Sequence, residues 1–109
     1  MNIHALLVNR FKQALEEMGV EDAPVPISRS ARPEFGEYQF NGAMALAKKL
    51  GQKPRDIADT IVAQVNLNDV ADKLEVAGPG FINIHLSYYN RYNGIGHKTT
   101  VRSYAYAVD

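Results

Sequence analysis

The chain has 109 residues, room for one domain around one modest core. Hydrophobic residues make up 46% and charged residues 22%, and twelve basic side chains balance twelve acidic ones, as in an ordinary soluble globular protein. There is no cysteine, which excludes disulfides, thiol nucleophiles and thiolate metal sites, and no apolar run approaches the length of a membrane span.

The first residues, Met-Asn-Ile-His, lack the basic and apolar regions of a signal peptide, so the chain reads as cytoplasmic with no membrane partner. Its neutral charge balance lacks the basic excess usual in nucleic-acid binders. Any RNA contact must therefore be local, or another domain must supply most of the phosphate attraction.

Asn2 is placed to cap a first helix, in which Ile3, Leu6, Leu7, Phe11, Ala14, Leu15 and Met18 recur at spacings of three and four. Arg10, Lys12, Gln13, Glu16 and Glu17 fall on its outer face, His4 reads as a solvated residue off the stripe, and Gly19 ends the helix. Pro24 and Pro26 then impose an extended course, with Val25 and Ile27 facing the core from a short edge strand. Ser28 to Pro33 is a polar connection in which Arg29 and Arg32 are phosphate candidates or simply solvated charges.

Phe35-Gly36-Glu37-Tyr38-Gln39-Phe40-Asn41 opens with a tight entry and alternates like a short strand, with Asn41 as the expected cap of a second helix. Ala43, Leu46, Ala47 and Leu50 give that helix a narrow stripe, Lys48 and Lys49 complement its C-terminal dipole, and Gly51 stops it. A third helix starts at Lys53-Pro54 and buries Ile57, Ala58, Ile61, Val62 and Val65. Asn66 to Asp72 reads as a loop, with Leu67 and Val70 able to dip into the core.

Leu74 and Val76 belong to a strand that turns through Gly78-Pro79-Gly80 into Phe81-Ile82-Asn83-Ile84-His85-Leu86. Strand alternation puts Ile82, Ile84 and Leu86 on one face and Phe81, Asn83 and His85 on the other. A ring to stack on, followed by a carboxamide that donates and accepts, suits recognition of an unstacked base; the same pattern also suits a half-buried strand facing solvent. The order of elements predicts an α+β two-layer domain: a small, mostly antiparallel sheet of about four strands packed on about three helices.

Residues 87–109 carry five of the six tyrosines and no helical stripe. They read either as a single-strand stacking surface or as a poorly ordered tail. No phosphate-binding glycine loop, nucleophile–base set or clustered carboxylate pair is visible, and the three histidines lie in unrelated contexts. A binding module is expected, with no catalytic residues and no metal.

The Phe35–Asn41 run leading into Ala43-Met44-Ala45-Leu46-Ala47-Lys48, then Lys53-Pro54-Arg55, then Gly78–Ile84, resembles in order and spacing the N-terminal additional domain of bacterial arginyl-tRNA synthetase, over residues 1–86. The resemblance implies an accessory domain of a class I synthetase, which uses ATP to activate arginine and attaches it to its tRNA. It implies that the D-loop at the outer corner of arginine tRNA is the partner, read by Phe81 and Asn83 with the backbone of Gly78 and Gly80 close by. It also implies a catalytic domain as a second partner, docking to which is the alternative role, and no cofactor in these residues. Residues 87–109 match nothing in the family. Gly94-Ile95-Gly96-His97 has glycine where the family's His-x-Gly-His motif begins.

Overall fold

The computed structural model describes residues 2–87; the expectations for the Tyr-rich segment 88–109, including Gly94–His97, lie outside the described residues. The chain runs α1 (Ile3–Glu17), β1 (Ile27–Arg29), a short 3-10 turn (Pro33–Phe35), β2 (Tyr38–Phe40), α2 (Ala43–Leu50), α3 (Pro54–Gln64), β3 (Ala71–Ala77) and β4 (Phe81–Leu86). The four strands form one antiparallel sheet in the order β1-β2-β4-β3, and the helices cover one of its faces. This is the expected α+β two-layer arrangement.

Periodicity decides which side chains meet between the layers. Leu7, Phe11, Ala14 and Leu15 of α1 are buried, and so are Ala43, Leu46 and Ala47 of α2 and Ile57, Ala58 and Ile61 of α3. They pack on Tyr38, Phe40, Ile82, Ile84 and Leu86 from the sheet. Phe11 and Phe40 stack with ring centroids 4.9 Å apart and both are fully buried. Each such burial is worth roughly 1.5–3 kcal/mol, so this pair anchors the centre of the core.

Asn2 caps α1 as expected, its side chain accepting from the Ala5 N–H at 2.7 Å. Several local expectations are corrected. The cap of α2 is Gly42 and makes no side-chain hydrogen bond, while the Asn41 side-chain oxygen is buried without a partner among the described residues. The ring of Phe40 explains this: a Cβ at position 42 would stand 2.5 Å from it, so the small residue must sit there. Leu50, expected in the stripe of α2, is 39% exposed. The predicted loop after α3 is shorter, because β3 already starts at Ala71, with Leu67 and Val70 buried.

Two surface residues also proved to be ties. His4 is exposed, yet its Nε2 lies 2.7 Å from the Ile27 carbonyl, which fastens the edge strand to α1. Arg10 reaches Asp69 in a two-pronged contact at 2.8 and 2.9 Å and donates to the Asn66 carbonyl at 2.7 Å. That fork holds α1 against the α3–β3 connection, and Asp69 raises the already high pKa of the guanidinium.

The Phe35–Asn41 run has a specific job in this packing. Gly36 has φ +83 and lies so close to β4 that a Cβ there would be 2.5 Å from the Ile84 carbonyl oxygen. The next residue donates its N–H to that same oxygen at 3.0 Å, and its carboxylate accepts from the Leu86 N–H at 2.7 Å. Glu37 thus closes the end of β4 from both directions. Gly36→Ala is expected to destabilise the domain by more than about 2 kcal/mol, through a left-handed backbone strained by a side chain and a methyl driven into β4. Chemical denaturation measures this, and a loss well below that figure would mean that the approach is loose.

Candidate functional site

The sheet face turned away from the helices carries the polar residues of β4. Strand register sets them in one row across the sheet, Ser28–Gln39–Asn83–Glu75, each opposite the next. The Gln39 amide donates to the Asn83 carbonyl oxygen at 2.8 Å, and Glu75 stands opposite Asn83 on the other flank. The bond from Gln39 turns the Asn83 oxygen towards β2, which leaves its amide end for the side of Glu75, a carboxylate that only accepts when ionised. The His85 Nε2 lies 3.4 Å from one Glu75 oxygen, and the Lys73 Nζ lies 3.3 Å from the other. His85 first, and then Lys73, hold the Glu75 carboxyl below the ordinary carboxylate range.

Phe81 and Asn83 therefore share a face, but in different states. Phe81 is half-buried, whereas Asn83 is 1% exposed. A carboxamide offers two N–H donors and two acceptor sites. Gln39 occupies one acceptor site, which leaves the second acceptor site and the amide donors, with Glu75 as the cross-strand neighbour.

Beside Phe81 the turn is tied to α3. The Arg55 Nη1 donates to the Gly78 carbonyl at 2.6 Å, and Nη2 is 3.5 Å from the Val76 carbonyl. Gly80, with φ +135, lies against Pro54, where a Cβ would stand 3.0 Å from the proline Cβ. Gly78 faces the Phe81 ring at a similar approach, with 3.3 Å from its would-be Cβ to the ring. The turn, the ring and the start of α3 are thus one assembly, with Gly78 and Pro79 exposed.

The other charged candidates lie elsewhere. Arg29 pairs in register with Tyr38, on the helix side of the sheet, and its guanidinium sits 5.6 Å from that ring centroid. Arg32 is exposed beside Glu34 at 3.9 Å. Lys48 and Lys49 are exposed in the last turn of α2. Residue types and spacing gave no role to Gln39, Glu75, Lys53 or Arg55 here. Counting back from the three-residue turn would have set Glu75 opposite Asn83; Gln39 and Arg55 reach the site from distant segments, with no local signal. Among the described residues no group of three or more metal-ligating side chains converges.

Comparison with known proteins gives the chain's family and fold. The family described as the arginyl tRNA synthetase N terminal domain matches residues 5–86. The arginine–tRNA ligase of Alteromonas mediterranea is 80% identical over 87 residues, and that of Pseudoalteromonas atlantica is 62% identical over 88. Each alignment covers 80% of this chain and 15% of the relative, so the chain spans about a seventh of their length. Among solved structures, Thermus thermophilus arginyl-tRNA synthetase superposes with a TM-score of 0.69 at 28% identity, over 78% of this chain and 14% of that one. The Plasmodium falciparum arginyl-tRNA synthetase shares the fold, with a TM-score of 0.69 at 20% identity over 76% of this chain and 16% of that one.

The Glu75 cluster has a readable pH signature. A carboxyl with a depressed folded-state pKa stabilises the fold above its unfolded value, near 4.5, and loses that contribution as pH falls through the lower folded value. His85→Ala is expected to move the Glu75 midpoint upwards, as followed by NMR of the side-chain carboxyl carbon. An unmoved midpoint would leave Lys73 as the source.

Proposed function

The chain belongs to the arginyl-tRNA synthetase N-terminal domain family, and from that we propose that it is a tRNA-binding accessory domain that reads the D-loop at the outer corner of arginine tRNA. The observation that carries this reading is the Phe81 ring, half-buried beside a turn whose position is held by Arg55 and Pro54. A ring fixed in place next to an exposed backbone is suited to stacking an unpaired base, a contact worth about 1–3 kcal/mol.

Asn83 acts second in this scheme. At 1% exposure it meets a base only after a neighbouring side chain moves aside, and it then offers its amide donors and the acceptor site that Gln39 leaves. Gly78 and Gly80 keep the backbone close to the same nucleotide. Arg29, Arg32, Lys48 and Lys49 are peripheral phosphate contacts in this reading, since none adjoins Phe81 in the sheet register or the turn. Catalysis, with ATP and arginine as substrates of a cytoplasmic ligase, belongs to the remainder of proteins such as the relatives, and this chain does no chemistry itself. With twelve basic and twelve acidic residues, it binds tRNA weakly by itself.

A second reading is favoured by the closed state of Asn83. A carboxamide that is buried and already bonded to Gln39 suits a sheet face that docks on a catalytic domain without touching RNA.

NMR titration of the labelled chain with arginine tRNA separates the two. D-loop reading predicts shifts at Phe81, Asn83 and the Gly78–Gly80 turn that disappear when the D-loop base is deleted, and a roughly 5- to 150-fold loss of affinity in Phe81→Ala. Silence at these residues at high tRNA concentration would leave docking as the role.

A further inference from the structure

We propose that Arg55 is a phosphate-binding residue of this surface, holding a phosphodiester of the RNA next to the base stacked on Phe81. This rests on the reading of the chain as an RNA-binding domain and adds a contact to it. The guanidinium has five N–H donors in a fixed fork. Two edges are engaged by the Gly78 and Val76 carbonyls, at 2.6 and 3.5 Å, and neither partner carries a charge. Arg55 is exposed and forms no ion pair among the described residues, so its charge is neither buried nor compensated.

The anchoring decides the argument. A free surface arginine loses side-chain entropy when it binds, whereas one already held by two carbonyls is pre-organised. It is held, moreover, to the turn that lies against the Phe81 ring, so the remaining N–H groups keep a fixed relation to the stacking surface. Lys53, exposed two residues earlier, adds a second positive charge at the start of α3, next to Pro54, the residue that touches Gly80. Arg29 lies instead over Tyr38 on the helix side, and Arg32 beside Glu34.

The salt dependence of tRNA binding tests this, because removing a phosphate contact flattens it and removing a structural staple does not. Affinity of the whole chain for arginine tRNA would be measured by fluorescence anisotropy across a range of salt concentrations. The proteins are the wild type, Arg55→Gln, Arg55→Lys and the remote control Lys12→Gln, each checked for a folded amide spectrum. Arg55→Gln is expected to reduce the slope of log affinity against log salt by about 0.7–0.9, with roughly five-fold weaker binding near 0.1 M salt. Arg55→Lys, which keeps the charge, is expected to retain the wild-type slope, and Lys12→Gln to leave it unchanged.

A wild-type slope in Arg55→Gln, a change no larger than that of Lys12→Gln, or no tRNA binding at any salt concentration would overturn the proposal. The same titrations with the D-loop base deleted keep the two ideas apart. A slope effect that survives alongside base-independent binding retains Arg55 and removes D-loop reading. Base-dependent binding with an unchanged slope does the reverse.

Discussion

Phe81–Leu86 hydrogen-bonds on both flanks, to Tyr38–Phe40 on one side and Ala71–Ala77 on the other, and the other elements take their places from that double pairing. The same six residues form the floor of the core through Ile82, Ile84 and Leu86, and the outer polar face through Phe81, Asn83 and His85. A one-residue slip would exchange the two sets, driving an imidazole and two further outer-face side chains into the helices. Register is therefore specified strongly here. Gly36 and Glu37 add to it by engaging β4 at its far end.

The row Gln39–Asn83–Glu75 follows from this register. Three strands each contribute one polar side chain at the same level, so a buried carboxamide finds its donor in Gln39 and has a carboxylate, Glu75, as its opposite neighbour. Left unpaired, that group would cost about 1–3 kcal/mol, and paired it favours one alignment of the three strands. The face proposed to meet RNA is thus also a registration device. That registration role explains why Asn83 is held so firmly while Phe81, beside the turn, remains partly open.

How much of this could be read from the sequence depended on how local the cause was. The three helices announced themselves through 3.6-residue periodicity, and the β3–β4 hairpin through Gly78-Pro79-Gly80 and period-two alternation, because these patterns lie within one segment. Asn41 misled because cap propensity is local, whereas the choice of Gly42 was made by the Phe40 ring pressing on that position. His4 to Ile27, Arg10 to Asp69 and Arg55 to Gly78 join residues separated by 23, 59 and 23 positions. No spacing rule connects such pairs, so those side chains could be read only as surface charge. Phe81 and Asn83 could be placed on one face by alternation, but the closure of Asn83 depended on Gln39 arriving from β2.

The strand order has a further consequence for a chain made from its N-terminus. β2 is complete at Phe40, yet its inner neighbour, the last of the described strands, is synthesised more than forty residues later. Until that segment leaves the ribosome, one side of β2 has no partner, and the helices lack Ile82, Ile84 and Leu86 from the floor of their core. Closure of the sheet is a late, non-local event that must follow translation of Leu86. Aromatic residues such as Phe40 wait through that interval in an unfinished layer, where an unpaired strand edge can recruit another chain. Factors that shield nascent chains would therefore matter most to this domain between the synthesis of its second strand and that of its fourth.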